Sequence, residues 1–167
     1  MTALSISTVA GVFDALVSAP PMGRPVLLLH GFPQTGLVWQ RQIVAPAAHG
    51  YRVVAPNQRG YSPGARPQRP EDYRIGLLVD DVVAITEKLG WAAFDLVGHD
   101  WAGAVAWWTA HAHLGRLRTL TVVSTPHPGA LATTLRTDQD QRECSHYRRR
   151  RGGRPGTSSA PRVLSPK

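Results

Sequence analysis

One short stretch constrains this chain more than any other: Val97-Gly98-His99-Asp100-Trp101-Ala102-Gly103. An apolar run, Phe94-Asp95-Leu96-Val97, enters it, and a second apolar run, Ala104 to Ala112, leaves it. The first has the length and branching of a strand and the second the length of a helix, so the stretch between them is a strand-to-helix corner. Gly98, Ala102 and Gly103 are small, as a sharp corner needs if the two backbones are to pass without a Cβ clash. The apex is Asp100. A carboxylate there sits at a helix N-terminus, where unpaired N–H groups and the helix dipole favour the ionised form. It can cap the helix, which Asp does well, or attack an electrophilic carbon. The corner alone leaves both readings open.

The rest of the chain supplies a sheet for that corner. Residues 4–18 read as two short strands around Gly11 followed by a Pro/Gly turn, an antiparallel hairpin. Val26-Leu27-Leu28-Leu29 is apolar without alternation, the mark of a strand buried on both faces of a parallel sheet, and it ends at His30-Gly31-Phe32-Pro33. Gly36 to Ala48 reads as a helix despite Pro46, and Tyr51 to Ala55 as a second buried strand. Pro56 to Pro70 is a Pro/Gly/Arg-rich loop closing on Glu71-Asp72, acidic residues suited to a helix start. Ile75, Leu78, Val79, Val82, Ile85 and Leu89 then recur at helical spacing until Gly90 stops the run. Leu117 to Val123 is a further strand, broken at Ser124-Thr125-Pro126-His127-Pro128. Strands alternating with helices predict an α/β fold with a mostly parallel sheet and N-terminal antiparallel strands.

Charge narrows the function classes only after it is divided. The net charge of the 167 residues is +8, yet residues 1–140 carry eleven basic and ten acidic side chains. The excess belongs to the end of the chain, where Arg148-Arg149-Arg150-Arg151 is followed mostly by Gly, Pro, Ser and Arg. Residues 144–167 therefore read as a basic, disordered tail that cannot bury enough surface to offset its ordering. A nucleic-acid role for that tail is a weak alternative, because charge runs specify function poorly. The abrupt change in composition also fits a reading-frame shift within a longer gene. Cys144 is the only cysteine, which rules out an intramolecular disulfide or a cysteine-based zinc site and points to a reducing, cytoplasmic setting. No signal peptide and no membrane-spanning run is legible. No metal or organic cofactor is implied, since neither a phosphate loop nor clustered ligand spacing occurs.

His30-Gly31-Phe32-Pro33, Asn57-Gln58-Arg59-Gly60-Tyr61-Ser62 and Gly98-His99-Asp100-Trp101 each close a predicted strand, the edge where open α/β sheets place their sites. Together, with Trp39, they resemble the α/β-hydrolase superfamily, and within it the epoxide hydrolase branch with its nucleophile elbow. Haloalkane and haloacid dehalogenases share the Asp nucleophile and are the nearest alternative. The resemblance, over residues 12 to about 142, implies that Asp100 is the nucleophile that forms an alkyl ester. It implies that the backbone N–H groups of Phe32 and Trp101 form the oxyanion hole, and that Phe32, Pro33, Trp39 and Trp101 bind a small apolar epoxide; as large aromatics, Phe32, Trp39 and Trp101 fit an ordinary core equally well. Arg59 and Tyr61 would fix their loop, and His30 and His99 would be structural. Asn57 stands where that family usually has Asp.

The same resemblance implies an activating histidine, an acidic partner and a helical cap located later than this chain extends. The expectation is therefore residues 1–143 as the N-terminal part of an α/β-hydrolase domain, a truncated form lacking the cap, the C-terminal strands and the catalytic histidine. Turnover by such a chain is in doubt, and Leu117 to Val123 would be an exposed apolar edge open to self-association.

Overall fold

The computed structural model describes residues 1–18 and 22–146 and divides the chain into two compact units, Met1–Pro128 and Gly129–Lys167. In the first, six strands form one sheet: β1 (Thr2–Thr8), β2 (Gly11–Val17), β3 (Arg24–Leu29), β4 (Tyr51–Pro56), β5 (Phe94–His99) and β6 (Leu117–Val123). Their order across the sheet is β1-β2-β4-β3-β5-β6. β1 and β2 are the expected hairpin, and β2 also pairs antiparallel with β4. The pairs β4/β3, β3/β5 and β5/β6 are parallel.

The unbroken apolar run of β3 follows from its central place. Leu27 and Leu29 pack on one face with α2 (Ile75–Lys88) and α3 (Trp101–Ala112), while Val26 and Leu28 pack on the other with Ile43, Val53 and Ala55. α2 presents Leu78, Val79, Val82 and Ile85 to the first face, each almost fully buried. Each such side chain contributes roughly 1.5–3 kcal/mol by leaving water. α3 adds Ala102, Val105 and Ala106, small enough to bring its backbone close to the sheet.

Three local expectations shift. The helix expected over Gly36 to Ala48 is a 3-10 turn at Gly36–Trp39 and a separate short helix, α1 (Val44–Ala48). Pro46 lacks an amide hydrogen and is tolerated only in a first turn, so a helix containing it must begin just before it. Glu71 and Asp72 lie in a 3-10 turn, Pro70–Tyr73, where Asp72 pairs with Arg69 at 3.1 Å, and α2 starts beyond them at Ile75. The elbow helix begins at Trp101, earlier than its apolar run suggests.

In the second unit, α4 (Pro128–Thr137) is followed by α5 (Gln139–Cys144), whose N-terminus is capped by Asp138 accepting from the Gln141 amide at 2.9 Å. The basic tail from Tyr147 onward lies outside the described residues. No helix among the described residues is long and apolar enough to cross a membrane.

Candidate active site

The C-terminal ends of β3, β4 and β5 converge on Asp100. Its backbone lies at φ 53°, ψ −121°, a region that non-glycine residues seldom occupy. Three hydrogen bonds hold it there. Its amide donates to the Val123 carbonyl at 3.0 Å, and its carbonyl accepts from the Gly103 amide at 2.9 Å and from the Thr125 hydroxyl. A residue held in such a conformation by its surroundings is common at functional sites. The corner also needs glycine at 98, since a Cβ there would come within 2.7 Å of the Ala106 methyl.

The Asp100 side chain does not cap α3. Its Oδ1 instead accepts from the backbone amide of Phe32 at 3.0 Å, 68 residues away on the β3 loop. Gly31 permits this approach, because a Cβ there would lie 2.6 Å from the Asp100 Cβ and 2.8 Å from Oδ1. The loop turns tightly, with the Gln34 amide donating to the Gly31 carbonyl at 3.0 Å and a cis peptide between Phe32 and Pro33. Trp101, the first residue of α3, carries an amide with no acceptor inside the helix.

His30 ties this loop to the β4 loop. Its ring is fully buried; Nε2 accepts from the Gln58 amide at 3.0 Å, so Nδ1 carries the proton and donates to the Gly31 carbonyl at 3.0 Å. Burial pushes its pKa below the ordinary histidine value, more than the Gly31 contact raises it. Tyr61 packs edge-on to His30 at 4.7 Å. Burial, and then the Asp100 carboxylate, push the Tyr61 phenol up. Asn57 receives the buried Gly36 amide at 2.8 Å, and Ser62 bonds the Asn57 carbonyl at 2.7 Å while accepting from the Asp14 amide at 3.0 Å. Arg59 grips Asp81 of α2 through a two-pronged contact, Nε and Nη2 donating to its two carboxylate oxygens at 2.7 and 2.6 Å.

Beside Asp100 lies a mainly apolar recess of about 600 Å³, lined by Phe32, Trp101, Leu78, Tyr61, Tyr73 and Arg66 among others. Phe32 and Trp101 are thus brought together with Asp100, and both residues are exposed, at 60% and 52%. Pro33 and Trp39, expected as substrate contacts, do not line it. Pro33 is exposed in the turn that follows Phe32. The Trp39 ring is drawn into the apolar cluster on the other sheet face, edge-on to His99 at 6.3 Å, with its indole N–H buried and without a partner. Leu78, Tyr73 and Arg66 are recess residues that sequence reasoning does not reach. By its spacing Leu78 reads only as core, and nothing in a Pro/Arg-rich loop announces which side chains will face a site.

Among the described residues no three His, Cys, Asp or Glu side chains cluster as a metal ion requires. The two histidines that flank the site are engaged elsewhere, His30 with Gln58 and Gly31 and His99 with Gln34 at 3.2 Å. His111 and His113 sit at the far end of α3, on the order of 15 Å along its axis from Asp100. The His127 ring packs against Trp107 at 4.9 Å.

Comparison with known proteins agrees with this geometry. Residues 24–144 match the family described as the alpha/beta hydrolase fold. Epoxide hydrolase B of Mycobacterium tuberculosis is 42% identical over 117 residues, 69% of this chain and 33% of that protein. The AB hydrolase superfamily protein YfhM of Bacillus subtilis is 39% identical over 111 residues, 66% of this chain and 39% of its own length. An epoxide hydrolase from hot-environment metagenomes superimposes with a TM-score of 0.82 at 31% identity, covering 89% of this chain and 50% of that one. The Bacillus megaterium epoxide hydrolase in complex with an inhibitor gives 0.81 at 29% identity, with coverage of 87% and 50%. The chain thus spans between a third and a half of the length of these relatives. A six-stranded, mostly parallel sheet, a carboxylate at the strand-to-helix corner and these matches together place the chain in the α/β-hydrolase fold family, among its epoxide hydrolase-like members.

Proposed function

We propose that this chain carries the nucleophile and oxyanion hole of a hydrolase acting on small apolar epoxides. The carrying observation is the Phe32 amide bound to Asp100 Oδ1 at 3.0 Å, with the carboxylate left unused as a helix cap. With Oδ1 anchored, Oδ2 is the oxygen available to attack an epoxide carbon. The carbon–oxygen bond of the ring then breaks, its oxygen takes a proton from solvent, and an alkyl ester of Asp100 remains. Water adds next to the ester carbon, and the negative charge develops on Oδ1. The Phe32 amide already points at that atom within the distance an oxyanion donor requires, and the Trp101 amide at the start of α3 is the second donor. Collapse of that intermediate releases the diol and restores the carboxylate.

Neither His30 nor the histidines of α3 are placed to activate that water. His30 has both ring nitrogens engaged, and the α3 histidines sit at the wrong end. A missing base typically costs 10²–10⁴-fold. The ester is therefore expected to accumulate on Asp100. The single cysteine supports a cytoplasmic setting.

Intact-mass analysis after incubation with styrene oxide tests the reading. The expected result is one stable adduct of the epoxide's mass, mapped by peptide fragmentation to Asp100 and absent from Asp100→Ala. Mapping matters because Cys144 is an exposed free thiol that an epoxide can alkylate. An adduct confined to Cys144, or none, overturns the reading. Alkylation by a chloroalkane with release of chloride, and not by styrene oxide, favours the dehalogenase alternative, in which the Trp101 indole at the recess would hold the halide.

A further inference from the structure

Two guanidinium groups line the recess beside Asp100, and only one is neutralised. Arg59 is bound through Nε and Nη2 to both carboxylate oxygens of Asp81, with side chains only 10% and 6% exposed, so its charge is balanced inside the fold. Arg66 is exposed and donates to two carbonyl oxygens, from Nε to Gly60 at 2.9 Å and more weakly to Tyr61 at 3.4 Å. Carbonyls orient a guanidinium without cancelling its charge, and these use two of its five N–H donors. Arg66 has no part in the ion pairs Arg24–Asp95, Arg59–Asp81, Arg69–Asp72 and Arg116–Glu87. Around it the recess offers Phe32, Leu78 and Trp101, while the Tyr73 hydroxyl is engaged by the Pro67 carbonyl at 2.8 Å.

We propose that Arg66 selects substrates whose apolar body ends in a carboxylate, held away from the reacting carbon. The inference rests on the reading of Asp100 as nucleophile for the word substrate, and on Arg66 alone for the anion. A planar guanidinium steered by two carbonyls is pre-oriented for the paired hydrogen bonds of a carboxylate. The aromatic and aliphatic walls hold the ligand's body, and the volume suits an aryl group with a short acid arm. Asp100 repels an anion placed next to itself, so charge directs the acid toward Arg66 and the neutral, reactive end toward the carboxylate.

Unreactive ligands read this apart from the chemistry. The full chain is titrated with trans-cinnamate and with trans-cinnamamide by ligand-observed NMR, in low salt and again in about 0.5 M salt, where screening is strong. Cinnamate is expected to bind about tenfold tighter, a preference that shrinks in high salt. Arg66→Gln erases the preference while keeping the affinity for cinnamamide, and Arg66→Lys, which retains the charge without the fork, keeps part of it. Circular dichroism of each variant checks the fold; if Arg66→Gln unfolds, Arg66→Lys and the salt dependence of the unaltered chain carry the decision. Equal affinities, a preference that survives in a folded Arg66→Gln, or no binding of either ligand overturns the proposal. An Asp100 adduct with styrene oxide but no cinnamate preference removes the Arg66 inference alone. A preference without an adduct keeps the anion site and removes the nucleophile.

Discussion

Two side chains near the site show how a residue's chemistry is set by what it is bonded to. Asp100 at a corner is a cap or a nucleophile from sequence alone, and the Phe32 amide separates the two. His30 looks like a candidate base by type, yet its Nε2 lone pair is occupied by the Gln58 amide and its proton by the Gly31 carbonyl. The neutral ring is the form that fits, and burial lowers its pKa. An unfolded chain takes up this proton as pH falls through about 6.5, whereas the folded one resists until its lower value. The stability that neutral His30 supplies is therefore whole above about 6.5 and declines as pH drops through that window. His30→Gln is expected to be less stable than the unaltered chain by about 1–3 kcal/mol at about pH 8, because it disturbs a buried acceptor for the Gln58 amide. In urea titrations, that gap should narrow at about pH 5; a gap that stays constant overturns the account.

Among the elements, α2 is the instructive one. Its apolar spacing gave the helix and its end at Gly90, where φ is 74°. It did not show that Asp81 is buried along with Leu78, Val82 and Ile85, because an apolar period holds no information about a carboxylate's partner. The partner that permits the burial, Arg59, arrives from the β4 loop 22 residues earlier. Burial pushes the Asp81 carboxyl up, and the Arg59 fork pulls it back only in part. Arg59→Ala leaves that carboxylate without a counter-ion and is expected to cost about 3–5 kcal/mol, read as a lower urea midpoint. Adding Asp81→Ala should recover part of the loss, since it removes the stranded charge; no recovery overturns the pairing as the cause. The same pair anchors the loop that bears Arg66, so α2 helps to fix the recess.

At the scale of the whole molecule, the outermost position of β6 matters most. β5 pairs with one side of it, and no strand among the described residues pairs with the other. Thr119, Thr121 and Val123 are exposed along it, and Arg118 is its one charge. A strand with so little to discourage pairing is prone to join a second copy. Analytical ultracentrifugation is expected to show association rising with protein concentration, and Thr121→Lys, which sets a charge on that edge, should shift it toward monomer. A monomer at all concentrations with a sharp cooperative melt overturns this.

The sequence by itself determined the order of the strands along the chain, the two-sided burial of β3, the apolar face and C-terminal end of α2 and the small residues of the elbow. Each is a matter of local period or size, which neighbouring residues report. Only the tertiary structure decided that Asp100 faces the Phe32 amide and not its own helix, that Trp39 packs behind the sheet and not in the recess, and that Arg59 is neutralised while Arg66 is not. The Asp100 and Arg59 contacts join groups 68 and 22 residues apart, and the period of a helix or strand holds no information about a partner at such separations.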